Sequence, residues 1–245
     1  MQLKTTLALL GAMCSFGMAY PPQQRPYHPT SMGQPSPASG SYTNTGFGAR
    51  TSSHGSGYTY VGNVGNPWGS NIIEISEADV SKYKYVAEFS GQNTETWLVV
   101  IWNKIGPTGK LDGHFGNSAL SFSLAPGEHK FVAFDENTQG GFSAAPGNAL
   151  PRGKYGSYSS TWGEFDFGSE VNYGWSGFDV SAIQAQLAGQ QVQGMKICGN
   201  GQCSSISPGG GVNNAYTAKD AAKGGIGGNL PPGPVKLEVI IDFER

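Results

Sequence analysis

Trp162-Gly163-Glu164-Phe165-Asp166-Phe167 is the segment of this chain best equipped for chemistry. A strand alternates its side chains between two faces, so Phe165 and Phe167 share one and Trp162, Glu164 and Asp166 share the other. With the phenylalanines in a core, an indole and two carboxylates line up on the exposed side. That is the composition of a carbohydrate cleft, where a ring stacks on a sugar face and carboxylates accept hydrogen bonds from hydroxyls. Carboxylates at i and i+2 of a strand have Cα atoms about 6.5 Å apart, which also fits the acid and base, or nucleophile, of a glycosidase. Like charges that close raise one pKa. Acids on a solvated strand face commonly serve solubility alone, so non-catalytic binding is preferred to catalysis.

Asp135 and Glu136 end a strand expected over 129–134, and Asp179 opens another. Suitable strand pairing would bring them towards Glu164; otherwise they cap turns, as Asp-Glu-Asn at a strand end normally does. A calcium site from the same oxygens lacks a loop signature. His114 and His129 have no cysteine or second histidine at ligand spacing, so neither a structural metal nor a cofactor is expected. The chain has no Gly-x-Ser-x-Gly elbow, no phosphate-binding glycine loop and no dinucleotide fingerprint.

The elements that must carry these residues are strands. Candidates run over 71–75, 85–90, 96–103, 119–124, 129–134, 161–167, 178–183, 191–198 and 235–243, with short helices only after Ser76 and near 216–222. Trp97-Leu98-Val99-Val100-Ile101-Trp102 is apolar on both faces, the mark of a strand buried between two sheets. Leu120, Phe122 and Leu124 alternate with Ser121 and Ser123, the mark of a strand with one wet face. An all-β, two-sheet sandwich with one or two short helices follows.

The chain opens with one positive charge, Lys4, and an apolar run over 7–19 that is too short to span a bilayer, with Gly17 and Ala19 at signal-peptidase spacing. A secretory signal over 1–19 is therefore expected, with Tyr20 as the mature N-terminus and an extracellular destination. Residues 20–57 are rich in Pro, Gln, Ser, Gly and Tyr without hydrophobic periodicity and read as a disordered arm; 58–245 form the domain. No other stretch is long and apolar enough for a membrane span, and the last residues lack a lipid-anchor signal. Charged residues make up 13% of the chain and the net charge is -2, which argues against a nucleic-acid partner. Of three cysteines, Cys14 leaves with the signal. Cys198 and Cys203 bracket Gly-Asn-Gly-Gln, a turn sequence, and would pair across a hairpin in an oxidising compartment; a redox or zinc pair is the alternative.

Several blocks resemble the secreted fungal allergen family typified by Asp f four. They are 62–76 (GNVGNPWGSNIIEIS), 103–109 (NKIGPTG), 116–120 (GNSAL), 131–137 (FVAFDEN), 161–167 (TWGEFDF), 174–184 (GWSGFDVSAIQ) and 192–198 (VQGMKIC). The resemblance implies secretion and binding by host IgE. A looser similarity is to thaumatin-like sandwiches: Gly163-Glu164-Phe165 and Phe178-Asp179-Val180-Ser181 stand in the order of that family's acidic cleft, associated with β-1,3-glucan. Phe134 and Gln184 replace its usual arginine and further aspartate. Together these point to a wall or matrix protein that binds β-glucan through Trp162, Glu164 and Asp179, with Asp166, Asp135 and Glu136 nearby. The alternatives are a glycoside hydrolase using Glu164 with Asp166 or Asp179, and a host-directed interaction protein without a glycan site.

Overall fold

A computed structural model describes residues 41–244. The signal expected over 1–19, and the arm as far as residue 40, lie outside the described residues. Thirteen strands are described: β1 (Ile72–Ile75), β2 (Tyr85–Gly91), β3 (Trp97–Asn103), β4 (Leu120–Leu124), β5 (Lys130–Phe134), β6 (Thr138–Pro146), β7 (Trp162–Ser169), β8 (Trp175–Ser181), β9 (Met195–Gly199), β10 (Gln202–Ile206), β11 (Val212–Asn213), β12 (Gly228–Leu230) and β13 (Val235–Ile241). One sheet has the order β1-β5-β2-β13-β9-β10-β11 and the other β12-β8-β7-β6-β3-β4. β13 runs parallel to β2 and the other named pairs are antiparallel.

The all-β, two-sheet expectation is met. The sheets close on phenylalanines: Phe134 meets Phe165 at 4.8 Å between ring centroids, and Phe89 meets Phe142 at 5.0 Å. Each such ring is the alternating apolar residue of its strand, and truncating one costs about 3–5 kcal/mol. The helix expected after Ser76 is a short 3-10 segment, Glu77–Lys82, and that near 216–222 is the 3-10 turn Ala218–Asp220. A five-residue α1 (Ile183–Leu187), not foreseen, follows β8. No helix among the described residues is long and apolar enough to cross a membrane.

Two expectations are corrected. β3 is apolar on both faces, but only Trp97, Val99 and Ile101 meet the opposite sheet; Val100 and Trp102 belong to a second apolar cluster with Ala145, Leu150, Tyr158 and Trp162. Long loops, not a further sheet, cover that outer face. The stretch 41–57, assigned by composition to the arm, is tied to the domain: Thr43 N donates to Lys82 O (2.9 Å), Gly48 N to Ser70 O (3.0 Å), and Ala49 exchanges backbone bonds with Asn66. Polar chain of this kind cannot nucleate a core, yet its backbone groups pair with the loop before β1 and the end of the 3-10 segment once these are in place.

β6 was not foreseen, because Gly140-Gly141 reads as a turn. Its glycines are there for the neighbouring strands: a Cβ on Gly141 would lie 2.9 Å from the Trp102 ring. Across the sheet, a Cβ on Gly163 would lie 2.2 Å from the Phe142 ring. The expected hairpin staple is present: Cys198 and Cys203 are directly opposed on β9 and β10 and disulfide-bonded. Asn200 and Gly201 turn the chain between them with φ of 47° and 78°, as a two-residue hairpin needs.

Candidate functional site

The alternation expected of β7 holds. Phe165 and Phe167 enter the core, Trp162, Glu164 and Asp166 take the opposite face, and Asp179 on β8 stands directly across from Glu164. Three acids foreseen as one group thus share one surface of one sheet. That surface is not wet, which corrects the expectation: Trp162 is 1% exposed, Glu164 4%, Asp166 5% and Asp179 2%. Trp162 packs its edge on Trp102 (5.3 Å) and lies 5.2 Å from the His114 ring. Leu150 and Tyr158 close the cover from a second loop.

Burial governs the electrostatics here, because a carboxylate taken from water without a partner disfavours its charged form. Glu164 is raised from the usual 4.5 to about 8, and Asp166 to about 7, with Ser169, Lys104 and Gln139 holding the latter back. Asp179 is also raised well above the ordinary aspartate value, by burial first and then by the neighbouring Glu164. Burial also drives His114 down to about 4. Lys104 Nζ donates to Gln139 Oε1 (2.5 Å), and Gln139 Nε2 donates weakly to Asp166 Oδ2 (3.4 Å). Glu164 Oε1, Asp166 Oδ1, Asp179 Oδ1 and the indole Nε1 of Trp102 and Trp162 have no hydrogen-bond partner among the described residues. The cavity between Trp102, Trp162, Lys104 and Glu164 measures only about 10 Å³. That is the space of a single water, so Trp162 has no room to stack on a sugar.

Asp135 and Glu136 lie elsewhere, in the turn from β5 to β6. The chain reverses there through Asn137 at φ 62°. Arg50 grips Asp135 with two donors, Nε to Oδ2 at 2.8 Å and Nη2 to Oδ1, and Asn63 Nδ2 donates to Oδ2 at 2.9 Å. Glu136 accepts from Lys84 Nζ and lies 3.6 Å from Arg50 Nη1. Two open cavities adjoin, both lined by Arg50 and Glu136. One, of about 230 Å³, is walled by Tyr42, Phe47 and Lys84; the other, of about 290 Å³, by Asn63, Glu170 and Tyr173. Tyr173 is 85% exposed and sits in the left-handed region at φ 55°, which is uncommon for a bulky residue and costs backbone energy.

The six acidic and aromatic candidates therefore divide into a closed set, Trp162, Glu164, Asp166 and Asp179, and an open pair, Asp135 and Glu136. Arg50, Tyr42, Glu170 and Tyr173 were missed. Glu170-Val-Asn-Tyr-Gly174, an aromatic in a polar turn before glycine, was the available signal for Tyr173; Arg50 had none, lying in a stretch read as linker. Among the described residues no three or more His, Cys, Asp or Glu side chains form a metal set.

A family model described as the Allergen Asp f 4-like domain matches residues 70–241, from just before β1 to the end of β13. Allergen Asp f 4 of Aspergillus fumigatus is 57% identical over 212 residues, covering 85% of this chain. The alignment takes in 66% of that relative, so this chain spans just under two thirds of its length. Since the model match takes in both sheets and the groove turn alike, the chain belongs to the Allergen Asp f 4-like domain family.

Proposed function

We propose that this is a secreted protein that binds fungal wall polysaccharide, β-glucan or a similar neutral glycan, without cleaving it, in the groove at Arg50 and Glu136. The observation that carries this reading is the pair of adjoining cavities, each large enough for a sugar ring, with exposed Tyr173 on one wall. A tyrosine ring offers a stacking face, Arg50 donates to hydroxyl oxygens, and Glu136 and Glu170 accept from hydroxyl hydrogens. Export through the segment over 1–19 brings the domain to such a partner.

Non-catalytic binding suits the groove because its acids are spent. Asp135 is held by Arg50 and Asn63, and Glu136 by Lys84, so both are already bonded within the domain. Glu164 and Asp179 do have the elevated pKa of a general acid, but no glycosidic bond fits beside them. Glu164 and Asp179 stand opposite each other on β7 and β8, but buried and without an open cleft wide enough for a sugar. A second reading rests on family membership: the Aspergillus relative is named an allergen, and IgE of sensitised hosts is the partner this suggests.

Pull-down on insoluble β-1,3-glucan tests the first reading. The protein should be retained, and Tyr173→Ala should lose at least about five-fold of that retention, as expected when a stacking ring worth about 1 kcal/mol or more is removed. No retention of the unaltered protein, or equal retention of the variant, would overturn it. Release of reducing sugar that persists in Glu164→Gln would place hydrolysis outside the buried pair; release that disappears would restore the hydrolase alternative.

A further inference from the structure

Beyond the glycan groove, a separate and smaller cavity of about 60 Å³ opens on the outer face of β8 and β12, lined by Asp166, Asn172, Asp179, Tyr216 and the glycine-rich loop 225–229. Asp166 and Asp179, which line it, are both more than nine-tenths buried, and each has an Oδ1 with no hydrogen-bond partner among the described residues. The Ser169 hydroxyl holds the Asp166 pKa back, yet a buried carboxyl oxygen left without a partner is costly. Glu164, directly across from Asp179, adds a third acid whose Oε1 is also unpartnered. The facing side chains are Lys104, whose ammonium reaches Gln139, and the neutral Gln139 and Ser169.

The loop that walls the cavity is held in place from outside. Asn214 donates from Nδ2 to Gly227 O (2.9 Å) and accepts at Oδ1 from Gly227 N (3.0 Å). Gln202 makes the same pair of bonds to Asn229, each at 3.0 Å. Ile226 N donates to Tyr216 Oη at 3.2 Å. Gly227, at φ 114°, lies so close over β8 that a Cβ there would stand 2.7 Å from Asp179 Cβ. A loop clamped at successive positions against two buried carboxyls is a built pocket, and its volume of about 60 Å³ has room for one ion with a few waters, each needing about 10–15 Å³.

We infer that this cavity binds a hard divalent cation, calcium in preference to magnesium, through Asp166 Oδ1 and Asp179 Oδ1 with neutral oxygens from Asn172 and the loop. Two carboxylates and a set of neutral oxygens on an irregular loop match the flexible, high coordination of calcium. Magnesium demands a near-octahedral set and releases its waters reluctantly. The site has no linear calcium-loop signature because its oxygens come from β7, β8, the turn between them and a loop about fifty residues later.

Thermal unfolding of the purified full chain in mildly alkaline buffer, with chelator and then with millimolar calcium chloride, tests the inference alongside calorimetric titration of calcium alone. At a hundredfold excess over Kd the melting temperature should rise by about 5–10 °C. Magnesium should give less, and sodium chloride at matched ionic strength should give nothing. Asp179→Asn should abolish the calcium response; if that variant does not fold, Asn172→Ala leaves both carboxyls in place and should weaken calcium binding several-fold. A melting temperature indifferent to calcium with no binding heat, a response matched by sodium chloride, or a response unchanged in both variants would overturn the inference. Tyr173→Ala should keep the calcium response in full, so failure of the glycan reading and failure of this one are separable.

Discussion

The closed face of β7 and β8 and the open groove at the β5–β6 turn are built from the same residue types, acids beside aromatic rings, and they are chemically opposite. In the groove the acids have partners: Asp135 has Arg50 and Asn63, Glu136 has Lys84, and Glu170 accepts from the hydroxyls of Ser53 and Tyr60. On the closed face, burial leaves an oxygen of each of Glu164, Asp166 and Asp179 without a partner among the described residues, lifts Glu164 to about 8 and Asp166 to about 7, and raises Asp179 well above the ordinary aspartate value. Residue type therefore does not decide what an acidic pair can do. Access to water and to counter-charge does.

The largest expected effect separates the regions by pH. Because the closed-face acids have folded pKa values raised above their unfolded ones, the native state holds more protons than the unfolded state from about pH 4 to about pH 8, and stability falls as pH rises through that window. Each group contributes up to about 1.4 kcal/mol per pH unit there. Urea midpoints measured with chelator present should drop from acid to mildly alkaline buffer, and Glu164→Gln should flatten the decline. An identical slope in that variant would show that the acids are not buried as described.

Gly163→Ala attacks β7 from its core side, behind the closed face. Its Cβ would collide with the Phe142 ring at 2.2 Å, and overpacking of this kind costs about 1–3 kcal/mol. A drop in the urea midpoint without loss of glucan retention is expected; intact stability would mean that β6 and β7 have slack.

Arg50→Ala attacks the groove. Asp135, 3% exposed, would lose its two-donor partner, though Asn63 stays and Arg50 is itself half-exposed, so the cost is set at about 1–2 kcal/mol. Glucan retention should fall with stability, whereas calcium binding should not. Loss of calcium binding would mean that the two regions are coupled.

The smallest effect on stability, and the sharpest on binding, is expected from Tyr173→Gly. Glycine takes the φ of 55° freely, so stability should hold or rise by up to about 1 kcal/mol while glucan retention is lost. A stability loss would make Tyr173 a structural residue and leave the groove without its stacking ring.

Period-two alternation located Phe165 and Phe167 in the core and correctly put Glu164 and Asp166 together, because the strand period is a local property of the backbone. The double apolar character of β3 was legible for the same reason. Which surface covered its second face was not, since Leu150 and Tyr158 arrive from a loop some fifty residues away and nothing in β3 encodes their approach. β6 escaped because Gly140-Gly141 carries a turn's composition while serving close packing against Trp102.

By itself, then, the sequence determined local matters: alternating strands, two sheets' worth of apolar faces, a turn between cysteines placed to pair, and a family signature spread along the chain. Tertiary structure alone decided that Trp162 is core rather than platform and that Arg50 belongs to the domain. It also decided that Asp179 stands opposite Glu164 while Asp135 does not. These depend on which distant segments meet, and solvation and charge pairing, which set what a carboxyl can do, are sums over all neighbours in space rather than in sequence.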